Sequence, residues 1–371
     1  MGAGVSIEEL PSGPQTITGV PTSVTAFVGA ASRGSSYRAV RISSFGEFEQ
    51  RFGGLVASLD LGYAVQQFFL NGGKDAWIVR IARQLTAVQI SKGVHALDAV
   101  DIFNLLVIPG VTNSEALFAA ADYCRQRRAF LIVDAPKSAQ TPAQMEQAVQ
   151  NATLPKTSDG AIYFPWIKIA DSLNNSALRL SPPSGTIAGL FTRSDATRGI
   201  WKAPAGTEAT LNGVTALAYQ LTDTENGFLN PRGINCLRSF PGAGIVAWGA
   251  RTLAGDDQLG SEFKYINVRR LALFIEESIY RGIQWAVFEP NAEPLWAQIR
   301  LNAGAFLNNL FHEGAFQGNK PNDAYFVKCD STTTTSNDIA AGMVNALIGF
   351  ALLKPAEFIV VTISTKAAPP S

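Results

Sequence analysis

Residues 103–136 read FNLLVIPGVTNSEALFAAADYCRQRRAFLIVDAP, and their pattern decides the fold. Two short apolar runs, FNLLVIPG and AFLIVDAP, bracket the helical stretch SEALFAAADYCRQRR. Runs that are apolar at successive positions suit strands buried on both faces, so the segment reads as a βαβ-like unit of an α/β domain.

Upstream, TSVTAFVGAASRG (22–34) reads as a buried strand ending in small turn residues. SSFGEFEQRFGG opens a helix, with Ser43 or Ser44 as cap and Glu47 placed for a capping box. LGYAVQQFFLNGG (61–73) is a second helix stopped by Asn71-Gly72-Gly73, and DAWIVRIA (75–82) a strand. Residues 1–21 are rich in Gly, Pro and Ser around one alternating run, Val5–Glu8, too short to carry its own core. Downstream, the many Gly and Pro of 137–260 suggest strands joined by long shaped loops.

The last third is more regular. In NVRRLALFIEESIYRGIQWAVFEPN (267–291), Asn267 suits an N-cap, and Val268, Leu271, Ile275 and Ile279 recur at helical spacing. Glu277 and Arg281 stand in the favourable i,i+4 order, Gly282 ends the helix, and IQWAVFEP reads as a strand closed by Pro290. Pro294 fits a first helical turn, followed by a face of Leu295, Ile299, Ala303, Phe306 and Leu310. EFIVVTIST (357–365) is a strand apolar on both faces.

Composition narrows the function. Lys+Arg and Asp+Glu are both 30, so net charge gives no pull toward nucleic acid or a membrane surface. Charged residues are only 16% and apolar ones 47%, which suits a subunit buried among copies of itself. Cys124, Cys236 and Cys329 are widely spaced with no CxxC, reading as buried thiols rather than disulfides or a zinc site. The N-terminus lacks the charged and apolar regions of a signal peptide and matches only a loose acylation pattern at Gly2 and Ser6. No run of 18 apolar residues is present.

Catalytic constellations are absent from the pattern. Glu276 and Glu277 are adjacent and diverge by about 100° on a helix, so they do not converge on one atom. Glu289 stands at an expected strand end without a sequence partner. The two histidines, His95 and His312, leave the region between them with none, and HEGAF is not HExxH. PGAGIVAWGARTLAG (241–255) and NGGKDA (71–76) miss the spacing of dinucleotide and phosphate loops. Arg125, Arg127 and Arg128 fall at a helix end, where cations suit the macrodipole. No catalytic, cofactor or metal residue is expected.

Eight stretches together resemble the contractile tail sheath proteins, the sleeve of contractile phage tails and related bacterial injection systems. They are TSVTAFVGAASRG, AVQQFFLNGGKDAWIVRI, VDIFNLLVIPG, YFPWIKIAD, PPSGTIAGLFTRSDATRGIWKAPAG, LNPRGINCLRSFPGAGIVAWGARTL, KYINVRRLALFIEESIYRGIQWAVFEPN and KPAEFIVVTIST, in the family's order along nearly the whole chain. Relatives often carry histidine where this chain has Thr186 and Trp201.

The resemblance implies a mixed α/β fold. A subtilisin-like central α/β domain without catalytic machinery (96–260) would accompany a tube-proximal α/β domain. The latter would be built from N-terminal (22–95) and C-terminal (261–356) segments, with extended arms at 1–21 and 357–371. It further implies a helical stack of hexameric rings around an inner tube protein, with baseplate and terminal cap proteins as partners. No cofactor, nucleic acid or membrane insertion is implied; assembly would occur in the bacterial cytoplasm, within a phage tail or tail-like particle. Arms of neighbouring subunits would exchange as β-strands, through Val5 and Ile7 at one end and Phe358, Val360, Val361 and Ile363 at the other. Arg300, Asp330 and Asp338 are candidate inner-tube contacts, with capping and solvation as their alternative roles. The rival functions are a hydrolase-like enzyme on the central domain and a non-contractile shell subunit.

Overall fold

The computed structural model describes residues 16–83, 85–151 and 153–357. The strands, in chain order, are β1 (Thr25–Ala30), β2 (Ala39–Ile42), β3 (Ala76–Ile81), β4 (Leu105–Val107), β5 (Phe130–Asp134) and β6 (Gly160–Phe164). They continue with β7 (Ile167–Asp171), β8 (Ala177–Ser181), β9 (Val214–Leu217), β10 (Ile234–Phe240), β11 (Gly244–Trp248), β12 (Tyr325–Lys328) and β13 (Leu347–Phe350). Eight of them form one sheet in the order β11-β10-β6-β5-β4-β1-β3-β2. Its interior pairs are parallel and its outermost pairs, β10–β11 and β2–β3, antiparallel.

Helices cover both faces, which is why β1, β4, β5 and β6 are buried at every position. On one side lie α1 (Phe45–Phe52) and α2 (Asp60–Leu70), packed on Phe27, Ile78, Leu105 and Phe130. On the other lie α3 (Ala87–His95) and α4 (Ser114–Gln126), packed on Ala26, Val28, Leu106 and Leu131. The unit β4–α4–β5 is the βαβ element legible at 103–136, its two strands parallel neighbours. The cap of α1 also follows the expectation: Ser44 Oγ accepts from the Glu47 amide, and the Glu47 carboxylate accepts from the Ser43 amide and hydroxyl.

This sheet joins what the sequence reading divided at residue 95. β1 lies hydrogen-bonded between β3 and β4, so segments 22–95 and 96–260 share one pair of cores.

Residues 137–260 hold more helix than expected: α5 (Pro142–Gln150), α6 (Ser184–Arg198) and α7 (Asp223–Leu229), beside the three-stranded antiparallel sheet β8-β7-β9. α6 escaped detection because Ser184–Thr192 are buried all round, leaving no polar face to give a 3.6-residue period. It rides directly on α2. A Cβ at Gly185 would stand 2.3 Å from the Ala64 carbonyl oxygen, and one at Gly189 2.4 Å from that of Phe68. Both positions therefore require glycine.

The C-terminal third is built on α8 (Ile266–Gly282) and α9 (Glu293–His312), with the short α10 (Pro321–Ala324), α11 (Ser336–Ala340) and the two-stranded antiparallel sheet β12–β13. Leu271, Ile275, Ile279, Ala303, Phe306 and Leu310 form its core, as their spacing indicated. Burying such a side chain is worth about 1.5–3 kcal/mol. Residues at the end of the expected 1–21 arm pack on it: Ile17 joins this core, and the Val20 amide donates to Ser278 Oγ at 3.1 Å.

Two readings within 267–291 are corrected. Tyr265, not Asn267, is the N-cap; Asn267 is buried in the first turn, where Nδ2 donates to the carbonyls of Trp201 (2.9 Å) and Leu353 (3.0 Å). Those tertiary acceptors outweigh a local cap. IQWAVFEP forms no strand: Gln284–Ala286 is one 3₁₀ turn, and Phe288 follows in the left-handed region at φ 73°, fully exposed. Its apolar residues mark a surface loop without a neighbouring strand.

Candidate assembly surfaces

The acids of α8 fasten the helix to the main body. Glu277 accepts from Arg281 Nε at 2.6 Å and from Arg128 at 3.0 Å, and Arg281 reaches on to Asp101 at 2.9 Å. Hydrogen bonds that Arg281 donates to Asp101, then to Glu277, hold its guanidinium charged well above its ordinary range. Glu276 accepts from Arg269, which also donates to Asp159 at 2.6 Å. Arg270 forms a buried two-point pair with Asp195 (2.8 and 2.6 Å) and donates to the Thr22 carbonyl at 2.9 Å. Glu289 is exposed on the loop beyond.

The enzyme reading finds one suggestive contact, and it is a cap. Ser184 Oγ donates to Asp134 Oδ2 at 2.7 Å, while the amides of Ser184 (2.8 Å) and Gly110 (2.9 Å) also donate to this carboxylate. Ser184 is 0% exposed and Asp134 2%, so the hydroxyl is committed to the carboxylate away from solvent. Burial raises Asp134 to about 6 despite those donors. His95 faces Asp98, and His312 is exposed at the end of α9. The thiols of Cys124 and Cys236 are pushed up by burial, the latter to about 12, away from nucleophilic use. Among the described residues no three His, Cys, Asp or Glu side chains gather as a metal site, and no helix is long and apolar enough to cross a membrane.

Val5, Ile7, Phe358, Val360, Val361 and Ile363 lie outside the described residues. What is visible is where the chain enters and leaves. Residues 16–22 run along α8, through Ile17 at Gly282 and Val20 at Ser278. At the other end Glu357 is held by Arg251, a residue 0% exposed, whose Nε and Nη2 donate to the two carboxylate oxygens at 2.8 and 2.7 Å. Burial alone would raise the Glu357 carboxyl; the contacts with Arg251 and Tyr265 outweigh it and hold it below the usual range. No local pattern signals this pair, whose members are 106 residues apart.

The inner-tube candidates all lie in the C-terminal third. Arg300 donates to the Cys329 carbonyl and to Glu293 (2.5 Å). Asp330 accepts from the Thr332 amide (2.7 Å) and hydroxyl (2.6 Å), and Asp338 closes a capping box with Thr335 on α11. These local hydrogen bonds depress both carboxyls. The structure brings Arg300 beside Asp330 through Cys329, while Asp338 serves its own helix. Nearby, Phe326 and Leu347 on β12 and β13 are each more than half exposed, and each strand has only the other as partner in this sheet among the described residues.

Comparison with known proteins gives the arrangement its context. The family profile for the phage tail sheath protein central domain matches residues 84–253, and that for the phage tail sheath C-terminal domain matches 259–366. The fold is similar to a subunit of the sheath complex of an extracellular contractile injection system, PVC, in its contracted state. The two share 31% identity and a TM-score of 0.84, over 99% of this chain and 98% of that one. The helical sheath of the anti-feeding prophage in its contracted state gives 28% identity and a TM-score of 0.80, over 98% and 99%. A prophage major tail sheath protein of Pseudomonas aeruginosa (strain UCBPP-PA14) is 28% identical over 272 residues, covering 70% of this chain and 65% of the relative. The tail sheath protein of Vibrio phage KVP40 is 30% identical over 186 residues, 50% of this chain and 26% of the relative. The chain thus spans less than two thirds of these two curated relatives. With both family profiles matched in order and sheath subunits superposing along almost its entire length, this chain belongs to the contractile tail sheath protein family.

Proposed function

We propose that the protein is the structural subunit of a contractile sheath, polymerising as a helical stack of hexameric rings around an inner tube and shortening to drive that tube through a target envelope. The full-length likeness to sheath subunits in the contracted state carries this reading. A fold dominated by one doubly covered sheet suits a subunit that moves as a unit while strand joints persist. The free energy of firing would come from larger subunit interfaces in the contracted form, with no nucleotide consumed.

In this mechanism the arms, within residues 1–21 and 357–371, act by β-augmentation on neighbouring subunits. The β12–β13 sheet is the receiving element on this chain. A two-stranded sheet is marginal by itself, and its exposed Phe326 and Leu347 offer apolar contacts for an added strand. The surface of Arg300 and Asp330 would face the inner tube through polar contacts weak enough to release. Baseplate and cap proteins would end the stack, and assembly would precede release of the particle from the cytoplasm.

The test is electron microscopy of the purified protein with and without its tube partner. Hollow striated cylinders are expected; monodisperse monomers under both conditions would overturn the reading, and cylinders of one fixed form would favour a static shell. Chains lacking residues 1–10, or ending after Glu357, should remain folded and form no cylinders.

A further inference from the structure

We propose that Arg251 and Glu357 are positioning residues that clamp the root of the C-terminal arm, so that pull on the arm enters the eight-stranded sheet and not β12–β13; the inference rests on the sheath reading above. From Phe350 the chain first stays with the C-terminal third: the Ala351 amide donates to the Ala324 carbonyl at 2.7 Å, and Leu352 bridges to Phe316. It then crosses to the main body. Along the crossing, Leu353–Glu357 forms one wall of a cavity of about 490 Å³ whose other walls include Trp201, Trp248 and Pro231. A span beside such a void is held by its ends: at Leu353, whose carbonyl accepts from Asn267, and at Glu357.

The Glu357 end is the stronger. Besides the two-point contact with Arg251, its carboxylate accepts from Tyr265 Oη (3.0 Å) and Asn230 Nδ2 (3.3 Å), with Lys264 Nζ 3.7 Å away. Arg251 is itself immobilised. Its Nη1 donates to the Gly255 carbonyl (3.0 Å) and Asp257 (2.9 Å). Its amide donates to Asn235 Oδ1, and its carbonyl accepts from Asn235 Nδ2, both at 2.7 Å. Asn235 lies in β10 and also donates to the Ile162 carbonyl in β6 at 3.1 Å. Two-point guanidinium–carboxylate contact fixes direction as well as distance. A force applied just beyond Glu357 is therefore passed through Arg251 and Asn235 into the interior of the large sheet. Lysine at 251 would supply a point charge without the fork.

The experiment uses full-length chains: wild type, Glu357→Gln, Arg251→Lys and Tyr265→Phe. Thermal unfolding, amide hydrogen exchange at residues 353–357 and the critical concentration for cylinder formation are measured on each. For Glu357→Gln and Arg251→Lys the proposal expects exchange there and the critical concentration each to rise about tenfold, with the unfolding midpoint moving little; Tyr265→Phe, which keeps the fork, should assemble like wild type. Faster exchange with wild-type assembly would overturn the positioning role, as would unchanged exchange. If Glu357→Gln fails to fold, Arg251→Lys decides alone. If wild type forms no cylinders the sheath reading falls instead, and the exchange rates still decide whether the clamp exists.

Discussion

Replacing Asp134 by asparagine should change stability by an amount that depends on pH, because burial and hydrogen bonding oppose one another at this residue. The folded chain raises the carboxyl from 3.8 to about 6. It thus holds the proton more tightly than the unfolded chain, and the corresponding stability is fully present below about pH 4 and lost as pH rises through about 6. The whole shift corresponds to roughly 3 kcal/mol, of which about 1.3 kcal/mol disappears between pH 5 and 7. Asparagine carries no such term. It has one acceptor oxygen where the carboxylate offers Oδ1 to the Ser184 amide and Oδ2 to Gly110 and the Ser184 hydroxyl. One unmade bond at a buried site costs about 1–3 kcal/mol at any pH. Asp134→Asn should therefore be clearly less stable than wild type at pH 5 and close to it at pH 7–8. Urea denaturation of both chains across this range measures the difference, with all other carboxylates cancelling. A difference independent of pH would refute the titration, and one that grows with pH would mean that the amide donors outweigh burial and favour the anion.

Three further outcomes are expected. Gly185→Ala should lower stability by about 3 kcal/mol or more, or abolish folding, because the new methyl meets the Ala64 backbone at 2.3 Å; urea midpoints of the purified variant measure it. Asp195→Ala leaves Arg270 buried without its partner and should cost about 3–5 kcal/mol, also by urea unfolding. Phe288→Asn places a residue tolerant of positive φ on the exposed loop and should stabilise the chain by about 1 kcal/mol, raising its thermal midpoint.

Local chemistry was legible and distant chemistry was not. The Ser44–Glu47 cap, the Glu277–Arg281 pair and the apolar face of α9 each depend on residues within a turn or two, and each stands where the spacing placed it. α6 was hidden by being buried on every side. The run 283–290 misled in the opposite way, since apolar residues at a surface look like a strand when no partner is visible in one dimension. Asn267 shows a cap residue diverted by carbonyls 66 and 86 positions away. That segments on both sides of residue 95 share one sheet was not legible, because the parallel pairing of Thr25 with Leu105 joins residues 80 positions apart, a relation without periodicity. The two arms were expected from the family resemblance together with the strand character of their residues, whereas the contacts of Val20 with Ser278 and of Glu357 with Arg251 needed the fold.

The docking of residues 16–22 on α8 bears on timing during translation. Val20 binds Ser278, 258 positions later, and Arg270 closes on the Thr22 carbonyl. At about 5–20 residues per second, a ribosome needs roughly 13–50 s to make the receiving helix after the segment has emerged. For that interval the leader has no seat on its own body. Residues 16–22 of a nascent subunit consequently stay undocked until α8 is made, so their docking reports that synthesis has passed that helix.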